Sequence, residues 1–370
     1  MPYSIGKLPL HDLLLPVTRA SEAIARLDEC LAHSPIRDGW IERAHFADAA
    51  GCLWLDGELV NLEDLVLHDV HMDVRAPTHE LVIAHAVLRT RRQIAAREPA
   101  WALSSSGLAE LRGRRSEEMS APEQKDVSGL KRAAVQSPEG NDIVDALDAE
   151  LAAIDAVIAR SQAVLDGAAR PSSHPKATSS EDLIYDQDWD EDERLAAWRR
   201  VVAETERLPA VLRAVLALDA WNEIEVVQHD SWIGRLFAAA ILRESGLARA
   251  HLPAINVGLR AVRFERRRSR DRKTRLLALL EGIERTGLAG LGEHERLDNA
   301  RRSLERKVVG RRSNSKLPQL IDFVLSRPMV SAGMIAKQLK VTQQGAVVLA
   351  EELGLREMTG RGRFRAWGVI

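Results

Sequence analysis

Three observations predict a mainly α protein, a helical body followed by a small C-terminal domain that closes with a hairpin. Apolar residues recur at three- and four-residue steps over most of the chain. Strand-like alternation is confined to the stretch after Gly354, and proline, glycine and serine cluster between the periodic stretches. The 370 residues exceed one ordinary core, so several domains are expected. Basic residues number 52 and acidic residues 54, which leaves no global positive field; a nucleic-acid surface has to be a local patch. Cys30 and Cys52 are the two cysteines, too few and too far apart for a disulfide framework or a CxxC pair. No stretch has the length and apolarity of a membrane span and no signal-peptide core is read at the N-terminus, so a cytoplasmic protein without membrane contact is expected.

The elements follow in order. Residues 1–103 read as helical. Leu13, Leu14, Ile24, Leu27 and Leu31 share a helical spacing, then Leu62, Leu65 and Val66, then Leu81, Ala84, His85 and Leu88 ahead of a basic run at 89–92. Pro16, Pro35 and Pro77 punctuate them. Residues 104–141 are rich in serine, glycine, proline and charge and read as a flexible linker. A helical core is expected over 142–300. It opens with Ile143, Leu147, Leu151, Ile154 and Ile158 and is interrupted by a second linker at 167–180. The acidic run 181–193 reads as a helix start, where carboxylates complement the macrodipole. Residues 195–247 are the most apolar and predict two long helices around 221–231. The stretch 253–291 continues helical with a basic face of Arg263, Arg266, Arg267, Arg268, Arg270, Arg272, Lys273 and Arg275, and ends in a glycine cluster at 282–292. Residues 301–316 read as a basic hinge and 317–370 as a separate domain.

The last domain carries the clearest signal. Ser331 can cap a helix with Met334, Ile335 and Leu339 on its apolar stripe, and Lys340-Val341 is a tight turn. Thr342 caps a second helix with Ala346, Leu349 and Leu353, and Gly354 stands where a left-handed terminal residue is wanted. Ala336 supplies the small residue that the crossing needs. Past the turn at 359–362, Arg363 and Arg365 alternate with Phe364 and Ala366, giving one basic and one apolar strand face.

This pattern resembles the bacterial helix-turn-helix, and with the hairpin it looks like a winged helix. Lys340 departs from the glycine usual there, at a cost of roughly 1 kcal/mol. The resemblance implies double-stranded DNA as partner. Thr342, Gln343, Gln344 and Val347 would face the bases, on a surface that also carries Val348 and Glu351, and Arg361, Arg363 and Arg365 would face phosphate.

Two other segments resemble the Fic (AMP-transferring) architecture, so the body is expected to be Fic-like. AGCLWLDG at 50–57 is similar to that family's inhibitory helix, with Cys52 in place of the serine and Asp56 in place of the glutamate. The stretch 221–236 is similar to the Fic motif, but only its end, Gly234-Arg235-Leu236, is kept. Ile224 takes the catalytic histidine's place (Glu225 if one residue is lost), Gln228 that of the metal-binding acid, and Ser231 and Trp232 those of the phosphate-holding glycine and arginine. Without a base and a glycine-rich cradle the chemistry has no footing, so no catalytic, cofactor or metal residue is carried over. His229-Asp230 and the group His68, Asp69, His71, Asp73, His79 and His85 read as structural. The combination also looks like an uncharacterised bacterial family that joins a domain of unknown function to a C-terminal helix-turn-helix. The expected function is a DNA-binding regulator whose body dimerises or senses a partner. The alternatives are an active or relict nucleotidyl transferase and a protein-interaction scaffold.

Overall fold

The computed structural model describes residues 3–72, 76–120, 189–228, 230–310, 315–358 and 365–369, with the side chains of 113–120 outside the description. Residues 1–116 and 190–370 form one compact unit and 117–189 a second; the first is described below. The expected helix from residue 142 and the linker at 167–180 lie outside the described residues.

The body is helical, as its periodicity predicts. Its elements are α1 (Leu10–Ala32), α2 (Arg37–Leu55), α3 (Leu62–Asp69), α4 (His79–Ala96) and α5 (Ser105–Ser120), then α6 (Glu191–Glu204), α7 (Ala210–Ile224), α8 (Ile233–Glu244), α9 (Ile255–Arg260), α10 (Phe264–Arg267) and α11 (Arg272–Val308). Pro35 and Pro77 fall between helices, but Pro16 lies inside α1, where Leu14 and Leu15 beside it face solvent. The expected linker gives way at its start to α5. Ser104 Oγ accepts from Gly107 N at 3.0 Å, and Leu108 and Leu111 are buried, which is enough to hold that segment. Residues 195–247 make three helices rather than two, divided at Pro209 and by the left-handed Glu225 and Asp230. Asp190 caps α6, and Glu191, Asp192 and Glu193 fill its first turn, the expected place for carboxylates.

Helix α11 runs for 37 residues and packs along α1, α9 and α7. The glycine cluster at 282–292, read from sequence as a helix end, lies in its middle. A Cβ on Gly287 would stand 2.5 Å from the Ala23 carbonyl carbon, so the missing side chain is what lets α1 approach. The basic hinge likewise starts later than expected, because α11 continues to Val308.

Polar groups lock this body. Arg91, from the basic run in α4, is fully buried. It donates to Asp48 on α2 at 2.5 Å, to Leu252 O at 3.0 Å and to Pro253 O at 3.3 Å. Asp48 also accepts from Asn256 N at 2.7 Å and Asn256 Nδ2 at 2.8 Å, which fixes the start of α9. Burial pulls both partners toward their neutral forms, Asp48 upward and Arg91 downward, and the converging hydrogen bonds hold the charged pair against it. Asp219 on α7 is the second lock. It takes Arg275 Nε at 2.5 Å and the Tyr3 hydroxyl at 2.7 Å. Part of the expected basic face is taken up in ion pairs: Arg272 and Arg275 serve the buried Asp219, while at the surface Arg266 pairs with Glu281 and Lys273 with Asp12.

The C-terminal domain is a helix trio with a small sheet. It comprises α12 (Leu317–Leu325), β1 (Val330–Ser331), α13 (Ala332–Leu339), α14 (Gln343–Leu353), β2 (Arg356–Glu357) and β3 (Ala366–Gly368). The strands are antiparallel in the order β1-β3-β2, with Val330 opposite Trp367 and Arg356 opposite Gly368. Trp367 is buried, and Leu320, Ile335 and Leu353 belong to the same hydrophobic core.

Arg91→Met leaves Asp48 charged and unpaired in an apolar interior. Urea denaturation of this variant is expected to show a loss of about 3–5 kcal/mol.

Candidate nucleic-acid interface

The local signals of the C-terminal domain form as the sequence predicts. Ser331 Oγ accepts from Met334 N at 3.3 Å and starts α13; Thr342 Oγ1 accepts from Gly345 N at 3.0 Å and starts α14. Between them Lys340 takes the left-handed conformation, φ 53° and ψ 54°, so a lysine does occupy the glycine position. Gly354 ends α14 at φ 62° and ψ 44°.

Thr342, Gln343 and Gln344 are exposed on the first turn of α14, while Val347 is half-buried. Both glutamines thus stand at the end of the helix that a duplex would meet first. Val348 is 56% exposed on the same helix. Of the three arginines expected to face phosphate, one is described. Arg361 and Arg363 lie outside the described residues. Arg365 donates to Glu357 at 2.8 Å and to Glu351 at 3.0 Å, and its guanidinium lies 5.2 Å from the Trp367 ring centroid. These carboxylates raise its pKa and satisfy its charge, so it braces the sheet against α14. Lys337, Lys340 and Arg356, by contrast, are exposed and make no ion pair among the described residues. None of the three is among the residues that the helix-turn-helix resemblance places at the interface.

The domain is mounted on the body by side chains that periodicity cannot reveal. Lys307, in the last turn of α11, donates to Leu353 O at 2.9 Å, and Arg296 donates to Val369 O at 2.9 Å. Arg43 on α2 donates to Arg327 O, and Arg327 Nη1 reaches Asp69 Oδ2 at 3.4 Å. Asp69 also binds Arg92 at 2.6 and 3.0 Å and stands 3.4 Å from His85 Nε2. Burial works against this carboxylate, but the bonds from His85 and Arg92 and the charge of Arg327 hold it well below the usual range. The histidine-rich segment is thus part of the mount. His68 and His85 meet edge to face at 4.8 Å, and no group of three or more potential ligands gathers among the described residues.

At the other candidate site, Arg235 donates to Asp56 at 3.0 and 2.6 Å and to Cys52 Sγ at 3.1 Å. The two sequence segments singled out at 50–57 and 221–236 are therefore brought together. Burial pushes the Cys52 thiol up to about 11, which keeps it protonated. Ile224 ends α7 and Trp232 Nε1 donates to Asp230 at 2.7 Å; His229 lies outside the described residues.

Two segments of the chain match known families. Residues 317–370 match the family described as "HTH DNA binding domain", and residues 183–309 match "Protein of unknown function (DUF1612)". An uncharacterized protein of Sinorhizobium fredii is 50% identical over 380 aligned residues, covering 100% of both chains. The chain belongs to this family. This family joins the DUF1612 region to a C-terminal helix-turn-helix, and α11 ends with the first of the two matched ranges. No described helix is long and apolar enough to cross a membrane.

The Asp69 mount sets a pH dependence. Its folded-state pKa lies below the unfolded value of about 3.9, so its contribution is complete above that pH and is lost as pH falls through the folded value. Urea unfolding of wild type and Asp69→Asn should differ by about 2 kcal/mol at neutral pH, and the difference should shrink below about pH 4.

Proposed function

We propose that this chain is a DNA-binding transcriptional regulator that reads an operator through α14. The carrying observation is the capped, exposed first turn of α14. Gln343 and Gln344 stand free there, with Lys337, Lys340 and Arg356 unpaired at the surface of the same small domain. A glutamine can meet an adenine edge with two hydrogen bonds, and the lysines can neutralise phosphate. The arginines at 361 and 363 belong to the same proposal as wing contacts. A second copy of the chain is the natural partner, since paired half-sites double the footprint of so small a reading domain.

Selection of bound sequences from random duplex DNA tests the assignment. Gln344→Ala should flatten preference at one or two base pairs, a loss of about 1–3 kcal/mol of discrimination, and leave non-specific binding intact. Arg363→Ala should weaken all sequences alike and lower the salt slope by about one. The reverse pattern would mean that the wing reads sequence.

The Fic-like reading enters here as a relict without transferase activity. Its support is the absence of a histidine at Ile224 and the engagement of both terminal nitrogens of the Arg235 guanidinium by Asp56. Incubation of the protein and a cell lysate with labelled ATP should leave no covalent label on any protein. Labelling that depends on His229 would restore the enzymatic alternative.

A further inference from the structure

A cavity of about 220 Å³ opens where the body meets the reading domain, bounded by α1, α2, the start of α3, α9, α11 and the chain just after α12. Leu27, Ala44, Leu62 and Val257 give it apolar walls, and Pro328 closes it from the reading domain's side. An apolar cavity of roughly 150 Å³ takes a benzene ring, so this one has room for a ring or a short chain with one polar group.

Its polar wall is asymmetric. Arg43 is 8% exposed, and its Nε donates to Glu293 at 3.2 Å and its Nη1 to Arg327 O. Nη2 has no partner among the described residues. Glu293, the carboxylate lining the cavity, is also gripped by Arg296 at 2.6 and 2.7 Å. Two guanidiniums against one carboxylate leave one positive charge beside an apolar chamber. Burial depresses the pKa of Arg43, and an anion placed there would offset that cost.

We infer that this cavity binds a small apolar carboxylic acid as its anion, with the carboxylate on Arg43 and the hydrocarbon between α2 and α9. The planar fork of Arg43 suits a carboxylate held by both terminal nitrogens. One of those nitrogens already holds Arg327 O, the carbonyl immediately before Pro328. A bound acid therefore competes directly with the mount of the reading domain and presses on Pro328. Resting on the DNA-binding reading above, the acid is an effector that changes affinity for DNA; the site itself does not depend on that reading.

The experiment titrates the full-length protein without DNA, by calorimetry, with benzoate, 4-methylbenzoate and hexanoate and with the corresponding amides. At least one acid should saturate a single site, and its amide should bind about tenfold more weakly or worse. Ala44→Phe, which fills the chamber, should abolish binding, with Ala47→Leu as the substitute if that variant does not fold. Arg43→Gln should bring the acid down to the amide's affinity. If no acid saturates, if acid and amide bind alike, or if the filled cavity still binds, the inference is overturned. DNA affinity is then measured with and without the saturating acid, and a several-fold change is expected. An unchanged affinity overturns the coupling, whereas a ligand-free protein that binds no DNA overturns the functional reading and leaves the acid site standing.

Discussion

Helix α11 is the constraint on which the described unit depends. Its 37 residues extend about 55 Å, long enough to be core wall at one end and bracket at the other. Near its start Arg275 reaches the buried Asp219, so the helix cannot slide without stranding a carboxylate. In its middle, small residues let α1 press against the backbone, so it cannot rotate without a clash. With both freedoms removed, the direction in which its last turns point is set by the body. Arg296 and Lys307 then carry that direction into the C-terminal domain.

The arginines that hold the described fold together point inward. With 52 basic and 54 acidic residues, little net field is left for steering. Arg91, Arg235 and Arg275 are each buried against a carboxylate, and Arg43, Arg243 and Arg296 end on main-chain carbonyls. Guanidinium suits this use because it spreads its charge and offers several donors in a plane. Among the described residues of the C-terminal domain, Lys337, Lys340 and Arg356 remain exposed without an ion pair. A surface of that kind fits reading by shape and hydrogen bonding better than wholesale phosphate neutralisation.

The parts legible in the sequence were those whose cause is local. Ser331, Thr342, Lys340 and Gly354 each act within four residues of themselves, and each was readable without knowing what packs nearby. The helical stripe of Leu27 and Leu31 was legible for the same reason. The misread parts have distant causes. Gly287 looks like a helix end until Ala23 is placed against it, and Arg91 looks like surface until Asp48 is known to sit across from it. Arg365 alternates correctly for a basic strand face, yet Glu351 comes from a helix that only the fold brings near. At the candidate interface, residue type and position on α14 were readable, while the way the domain is held was not.

The mount has one property with wider reach. Lys307, Arg296 and Arg43 all end on carbonyl oxygens of the reading domain, at Leu353, Val369 and Arg327. A carbonyl is present whatever side chain the residue bears. These three attachments thus constrain the backbone path of the C-terminal domain and leave its side chains open, whereas the contact with Asp69 requires the arginine at 327. The exposed residues of α14 take part in none of them, so that face can vary in sequence without disturbing the joint.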